Sequence, residues 1–406
     1  MTSPLTVEEA LARVLAGVEP FGPHDCERVL IAEARGRIVG EALVTRDWQP
    51  PFGASAMDGY AVRAADVARP PARLRVIGEA AAGHPFVGRI GPGEATRIFT
   101  GAPVPCGADA IVIQENTQRA GDEVTVLRGL IDPEHIRRRG LDYVPGLRVL
   151  APGDQLTPRL ITLAAATGAA EIVARRRPRV AILATGDELV EPGARQLEPG
   201  QIRASNHLGI AAMVEATGGA PRLLGIARDT RESLDEHIAR AADADILVTI
   251  GGASVGDHDL VAPALEARGM TLDFWKIAMR PGKPLMFGRL GSQRVIGVPG
   301  NPVSSLVCAR LFLVPLVRAL LGLEPEPHRA IEATTATPLP ANGPRAHYMR
   351  AVFEQLTDGE LSVTAEPSQD SSLLTPLARA NALLVRPIGA AAVATGARVP
   401  ILMLDF

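Results

Sequence analysis

Two lysines stand out among the residues that could do chemistry. Lysine and arginine together number 42, yet lysine occurs only at Lys276 and Lys283, seven positions apart in FWKIAMRPGKP. Arginine presents a planar fork and lysine a compact point charge suited to phosphate. Two lysines kept together in an arginine-rich chain therefore point to oxyanion chemistry, with codon bias as the plain alternative. Acids and glycines gather in four further stretches: Thr185-Gly186-Asp187-Glu188, Arg228-Asp229, Gly251 to Asp259, and Pro299-Gly300-Asn301-Pro302. Glu188, Asp229, Asp257 and Asp259 offer the oxygen ligands Mg²⁺ takes, commonly one or two carboxylates plus substrate phosphates. Gly251, Gly252 and Gly256 let the backbone approach a bulky or phosphorylated ligand. Asn301 at a cap position and Pro302 at the first helical position leave N–H groups for an anion. The alternatives are simple: Asp187 and Asp259 as helix caps, Thr185 and Ser254 as turn residues, His258 as a surface residue. Gly251 to Gly256 has phosphate-loop spacing, but Asp257 stands where lysine is required.

Three more segments carry unusual residues. PPFGASAMDGYA places Ser55 and Asp58 in a loop shaped by Pro and Gly, IFTGAPVP presents Thr100 in a rigid turn, and RRRGLD sets a basic run beside Asp142. Taken alone, such a run is more often a solvated face than an anion site. No GxGxxG, HExxH or GxSxG occurs, which removes the simplest dehydrogenase, zinc-protease and hydrolase readings.

Elements must bring these turns together. Residues 178–325 alternate strands (Val180–Ala184, Arg222–Ile226, Ile246–Ile250, Arg294–Val298) with helices (Asn206–Thr217, Arg231–Ala242, Asp259–Arg268, Pro302–Leu321). The alternation predicts a doubly wound parallel α/β domain, in which ligands sit outside the carboxyl ends of the strands. All four acid-and-glycine stretches follow those ends. Residues 1–45 and 143–177 read as a helical, linking domain, with one helix over Val7–Leu15 and another within 157–170, capped by Thr157 and opened by Pro158. Residues 46–142 read as an inserted β-rich domain of short runs such as Tyr60–Val62 and Ala110–Ile113, and 326–406 as a C-terminal β-domain.

Composition narrows the class. With 406 residues, 47% hydrophobic and 21% charged, the chain can bury several cores. A net charge of −3 argues against a nucleic-acid binder that works by counterion release. Cys26, Cys106 and Cys308 are odd in number and scattered, which predicts reduced thiols and no cysteine-based zinc site. No signal peptide is evident, and Leu311–Leu323, interrupted by Arg318, is too short to span a bilayer. A soluble cytoplasmic protein is expected.

The segments SAMDGYA (Ser55–Ala61), TGAPVP (Thr100–Pro105), ATGDEL (Ala184–Leu189), GGASVGDHD (Gly251–Asp259), RPGKP (Arg280–Pro284) and PGNPVSS (Pro299–Ser305) together resemble the molybdopterin molybdenumtransferase family, which comprises bacterial MoeA and the gephyrin E-domain. The resemblance implies that adenylylated molybdopterin and molybdate combine, with Mg²⁺, to give molybdenum cofactor and AMP. It implies a homodimer with the site between the α/β domain of one subunit and the β-rich domain of the other. Asp58 and Thr100 would line that cleft. Glu188, Asp229, Asp257 and Asp259 would organise metal and phosphoanhydride cleavage, and Lys276 and Lys283 would meet phosphate or molybdate. Substrate would also touch Ser55, Asp142, Thr185, Gly251, Gly252, Ser254, Gly256, Arg280, Pro299, Asn301, Pro302 and, from the C-terminal domain, Ser371. A molybdopterin adenylyltransferase and molybdoenzymes are the implied protein partners. Leu141 and Arg280 depart from residues common in the family, an acid and a lysine. A non-catalytic carrier or scaffold of the same fold is the alternative; an adenylyltransferase acting one step earlier would leave three of the four zones unexplained.

Overall fold

The structure is a computed structural model that describes residues 4–252, 260–325, 330–357 and 359–404. The chain divides into two compact units, one of Arg28–Arg35 and Val39–Val173, the other of Met1–Glu27, Gly36–Ile38 and Ala174–Phe406. The first helix, α1 (Val7–Leu15), starts at a reciprocal cap: Glu9 N–H donates to Thr6 Oγ1 and Thr6 N–H to Glu9 Oε2. Its buried residues Val7, Ala10, Leu11 and Val14 recur at helical spacing and pack into the α/β core, so α1 belongs with the second unit.

The inserted unit is built on a six-stranded sheet of β1 (Gly59–Val62), β2 (Ala72–Ala80), β3 (Glu94–Ile98), β4 (Ala110–Ile113), β5 (Thr117–Ala120) and β6 (Glu123–Val126), in the order β4-β1-β3-β2-β6-β5. Successive side chains of a strand point to opposite faces. Tyr60 and Val62 accordingly enter one apolar cluster and Ala61 another, and both faces of the sheet are covered. Helix α2 (Pro158–Ala166) starts where its cap predicts, with Thr157 accepting from the Leu160 N–H.

The second unit centres on β7 (Arg179–Thr185), β8 (Ala220–Ala227), β9 (Ile246–Ile250), β10 (Thr271–Trp275), β11 (Met286–Leu290) and β12 (Gln293–Val298), ordered β8-β7-β9-β12-β11-β10. The first four strands in that order run parallel, while β11 and β10 return antiparallel and extend one edge. Val180 and Ile182 face α1, α3 (Asn206–Thr217) and the long helix after β12; Ala181 and Leu183 face α4 (Arg231–Ala239) and α5 (Val261–Glu266). The core is thus doubly wound, as expected from the alternation.

The helix after β12 comprises α6 (Pro302–Cys308), a π-helical turn at Ala309–Leu313, and α7 (Val314–Leu320). By length and composition alone its 19 residues could cross a membrane, but 72% of its most apolar window is buried inside the protein. Its apolar surface serves the core. Arg294, at the start of β12, donates to the carbonyls of Val14, Ala16 and Gly17, which are left open at the end of α1.

C-terminal strands β13 (Ile331–Thr335), β14 (Ala346–Gln355), β15 (Leu361–Ala365), β16 (Ala382–Arg386) and β17 (Arg398–Met403) close into a small barrel, because β14 pairs with both β15 and β16. Helix α8 (Leu374–Arg379) lies between β15 and β16 in sequence. The short strand Met279–Arg280 adds to β14 and ties the lysine-bearing segment to the barrel.

Candidate active site

The parallel strands of the second unit end side by side, and a cavity of about 640 Å³ opens beyond them. Thr185, Glu188, Asp229, Gly251, Gly252, Pro299, Asn301 and Pro302, all singled out from the sequence, lie in its wall. A second cavity of about 670 Å³ lies at the opposite, amino-terminal edge, where Arg176 is already engaged by both oxygens of Asp245.

The strand ends are stitched to one another. Gly186 N–H donates to Ala227 O, Gly251 N–H to Val298 O, and the buried Thr185 hydroxyl to Ile250 O. Gly251 has φ +92°, and a Cβ there would lie 2.7 Å from Thr185 O. That position admits glycine only.

The acids divide by use. Asp187, weighed as a helix cap, instead accepts the Asp229 N–H on Oδ1, and its carbonyl accepts from Arg228. No helix follows it; the next begins at Asn206. Burial, then the charge of Asp187 with that of Glu188 adding, raises the Asp229 carboxyl above its ordinary value, against an Asp187 N–H bond. A carboxylate disfavoured by burial and like charges is one that gains from a cation. Among the described residues no three His, Cys, Asp or Glu side chains converge tightly enough to hold a metal on their own. Glu188 and Asp229 both lie in the cavity wall, and Mg²⁺ commonly takes one or two carboxylates from a protein, its other ligands being waters and phosphates. Ser254, Gly256, Asp257, His258 and Asp259 lie outside the described residues.

The expected anion site at the start of α6 takes a different form. Asn301 occupies the cap position but makes no capping bond; its Nδ2 donates to Ser371 Oγ at 3.0 Å. Pro302 has no N–H, and the Val303 N–H is taken by Ser371 O. Ser371 therefore closes the first turn of α6 rather than leaving it open. Asn206 holds the same loop from the other side, donating to Gly300 O and Ser305 Oγ. Arg350, 1% exposed, holds the Ser371 segment by donating to Ser368 O and Leu373 O.

The two lysines are brought together by backbone. Lys276 N–H donates to Leu285 O and Ile277 N–H to Lys283 O, so the segment folds back on itself. Lys276 has φ +83° and is the only non-glycine residue with positive φ among those described. Such strain in a residue with a Cβ persists where surroundings over-determine it, and it clusters at functional sites. Neither lysine lies in the cavity wall, but Pro284, next to Lys283, does. Arg280 is exposed and pairs in register with His347 of β14. Burial first, then Arg280, Arg345 and Arg350, pushes the His347 imidazole down to about 4, so it stays neutral.

In the inserted unit, the three unusual segments converge. Thr100 donates from both N–H and Oγ1 to Asp58 Oδ1 at 2.8 Å, and these bonds, with the Arg97 charge, hold the Asp58 carboxyl below its ordinary value. Gly101 N–H meets Ser55 O, while Ser55 and Ala54 pair with Ile136 and Arg137, the start of the basic run. Ser55, expected to touch substrate, has no exposed surface, and its hydroxyl donates to Met57 O. It shapes the loop and presents nothing to a ligand. Asp142 is exposed, its N–H bonded to Gln49 O. Arg97 was not anticipated: it stacks on Phe99 and Tyr60 and donates to Gly59 O, steadying the Asp58 turn. Nothing in the sequence distinguishes Arg97, Asn206 or Arg350, since the partners of each are set by tertiary contact.

Comparison with known proteins covers the whole chain. Residues 5–168 match the MoeA N-terminal region (domain I and II), 181–319 a probable molybdopterin binding domain, and 332–404 the MoeA C-terminal region (domain IV). The molybdopterin molybdenumtransferase of Nostoc sp. is 37% identical over 94% of this chain and 89% of its own. That of Haemophilus influenzae is 36% identical over 94% of each. The crystal structure of the molybdopterin biosynthesis MoeA protein of Pyrococcus horikosii superposes over 100% of both chains with a TM-score of 0.81 and 30% identity.

Proposed function

The chain belongs to the molybdopterin molybdenumtransferase family, and on that premise we propose that it inserts molybdate into adenylylated molybdopterin, releasing AMP and forming molybdenum cofactor. It is a transferase of molybdenum cofactor biosynthesis, with small-molecule substrates, molybdopterin and molybdenum. The observation that carries the finer reading is one cavity with Glu188 and the raised carboxyl of Asp229 in its wall, at the carboxyl edge of a parallel sheet. No nucleophile of the acyl-transfer type is called for. Phosphoanhydride cleavage needs positioning and charge stabilisation, which fixed dipoles and charges provide.

In this reading Glu188 and Asp229, with Asp257 and Asp259, would hold Mg²⁺. Bound there, Mg²⁺ would supply positive charge for the phosphate oxygens. Thr185, Gly251 and Gly252 set the backbone edge against which the substrate lies. Lys276 and Lys283 attract the phosphates or molybdate as point charges. Asp58 and Thr100 act from the β-rich domain of a second subunit in a homodimer, and Asn301 and Ser371 fix the loop before α6. Three free cysteines support a reducing compartment, the cytoplasm.

The test is to follow AMP release from adenylylated molybdopterin with Mg²⁺ and molybdate, and metal insertion into an apo-molybdoenzyme. Molybdate-dependent release that disappears in Glu188→Ala supports the transferase reading. Tight pterin binding without AMP release would replace it with a carrier.

A further inference from the structure

The first turn of α3 also faces the cavity: Ser205, Asn206 and His207 are in its wall. An α-helix leaves its first N–H groups without intrahelical partners, and those groups carry the positive end of the helix dipole. At α4 the cap is filled, with Thr230 accepting the Ser233 N–H. At α6 Ser371 takes the Val303 N–H. At α3 the cap residue Ser205 makes no capping bond, its hydroxyl donating to Asn206 Oδ1 instead, and the N–H groups of Asn206 and His207 meet no acceptor among the described residues. The Asn206 side chain is turned away, onto Gly300 and Ser305.

His207 is the independent observation. It is 5% exposed, it lines the cavity, and among the described residues nothing bonds either ring nitrogen; Nδ1 is sealed without a described partner. An almost buried imidazole with no described partner is rare; sealed Nδ1 admits none, so a partner arriving from outside the fold meets Nε2. Burial lowers the imidazole below its ordinary value, although Glu191 opposes this, so the ring is neutral at neutral pH. A neutral ring carries one proton. Leaving it on Nδ1 would strand a donor where no acceptor exists, which places it on Nε2 as a donor.

We propose that the first turn of α3 is a phosphate subsite, in which the Asn206 and His207 N–H groups and the His207 imidazole donate to the oxygens of a phosphate group. This rests on the transferase reading only for the identity of the natural ligand, a phosphorylated pterin or its adenylyl group. The site's chemistry is that of any phosphate monoester at a helix N-terminus. It relocates the anion end of the cavity from α6, where the sequence placed it, to α3.

The test uses the full-length chain labelled with ¹⁵N-histidine and ¹⁵N-asparagine; only 8 histidines are present. Inorganic phosphate and then AMP are titrated at neutral pH, with His207 assigned through His207→Gln. The subsite predicts an Nε2–H tautomer, saturable shifts of the His207 ring, and parallel shifts of the Asn206 and His207 amides in the wild-type chain. His207→Phe should weaken phosphate about tenfold, the loss of one hydrogen bond. Competition by AMP for the same shifts assigns the turn to the phosphate of either source. His207 signals that stay still at saturating phosphate overturn the proposal, as do shifts produced by molybdate and not by phosphate. Phosphate binding at α3 without molybdate-dependent AMP release upholds the subsite and removes the transferase reading.

Discussion

Lys276 offers a test in which stability and activity move in opposite directions. Its φ of +83° is one that glycine adopts freely and residues with a Cβ do not. The left-handed conformation costs a non-glycine residue about 1–2 kcal/mol. Glycine returns part of that, about 0.5–1 kcal/mol, through its freer unfolded chain. Lys276→Gly should therefore be about 0.5–1 kcal/mol more stable than Lys276→Ala, which keeps the strain while losing the same ammonium. With a slope of about 2–3 kcal/mol per molar urea, the midpoints should differ by about 0.2–0.5 M. Fluorescence of Trp275, adjacent in sequence, reads the transition if the other tryptophan, Trp48, is changed to Phe. Both variants should lose molybdate-dependent AMP release. An alanine variant as stable as the glycine variant would refute the strain argument, and undiminished turnover in either would refute the role of the ammonium.

Other substitutions probe the rest of the site. Asp229 is raised by burial and by Asp187 and Glu188, so its contribution to stability is present in acid and is lost as pH rises through its folded value. Asp229→Asn should melt higher than wild type at pH 7 and equal it near pH 4, while AMP release is lost. Gly251→Ala, with its Cβ 2.7 Å from Thr185 O, should cost about 2–4 kcal/mol in a urea titration and distort the cavity edge. Thr100→Val removes one of two donors to Asp58 and should move that carboxyl up towards its ordinary value, read by carbon NMR titration. Arg350→Met loses bonds to Ser368 O and Leu373 O, a cost of about 2–4 kcal/mol, and hydrogen exchange should accelerate across 366–373.

What the sequence makes legible is whatever a short stretch decides by itself. Val7–Leu15 has the expected bounds because its cap and apolar spacing are local signals, and Asn206–Thr217 ends as expected at Gly218, which turns left-handed with φ +99°. Strands β7 and β9 are legible as apolar runs, since both faces of a parallel sheet are buried. The antiparallel pair β10 and β11 is not, because short edge strands broken by the Lys276–Lys283 segment carry little period. Composition singled out the two lysines, which the structure brings together but does not place in the cavity wall, and residue chemistry singled out Glu188 and Asp229, which line it. Which helix end stays open was beyond reach, because Ser371, 70 residues after Asn301, closes α6. The same holds for Ser55, whose burial depends on Ala102 and Ile136.

The Arg294 contact has a consequence for biosynthesis. Helix α1 leaves the ribosome before the inserted unit, yet the guanidinium that donates to its final carbonyls lies 280 residues later in the chain. The apolar face of α1 packs with residues of α7, which are made later still. A helix made before the inserted unit is therefore among the last to find its place, and that unit can complete its own sheet while α1 waits. During that interval Val7, Leu11 and Val14 have no native partner, and the nascent chain presents them to whatever holdase or aggregate it meets.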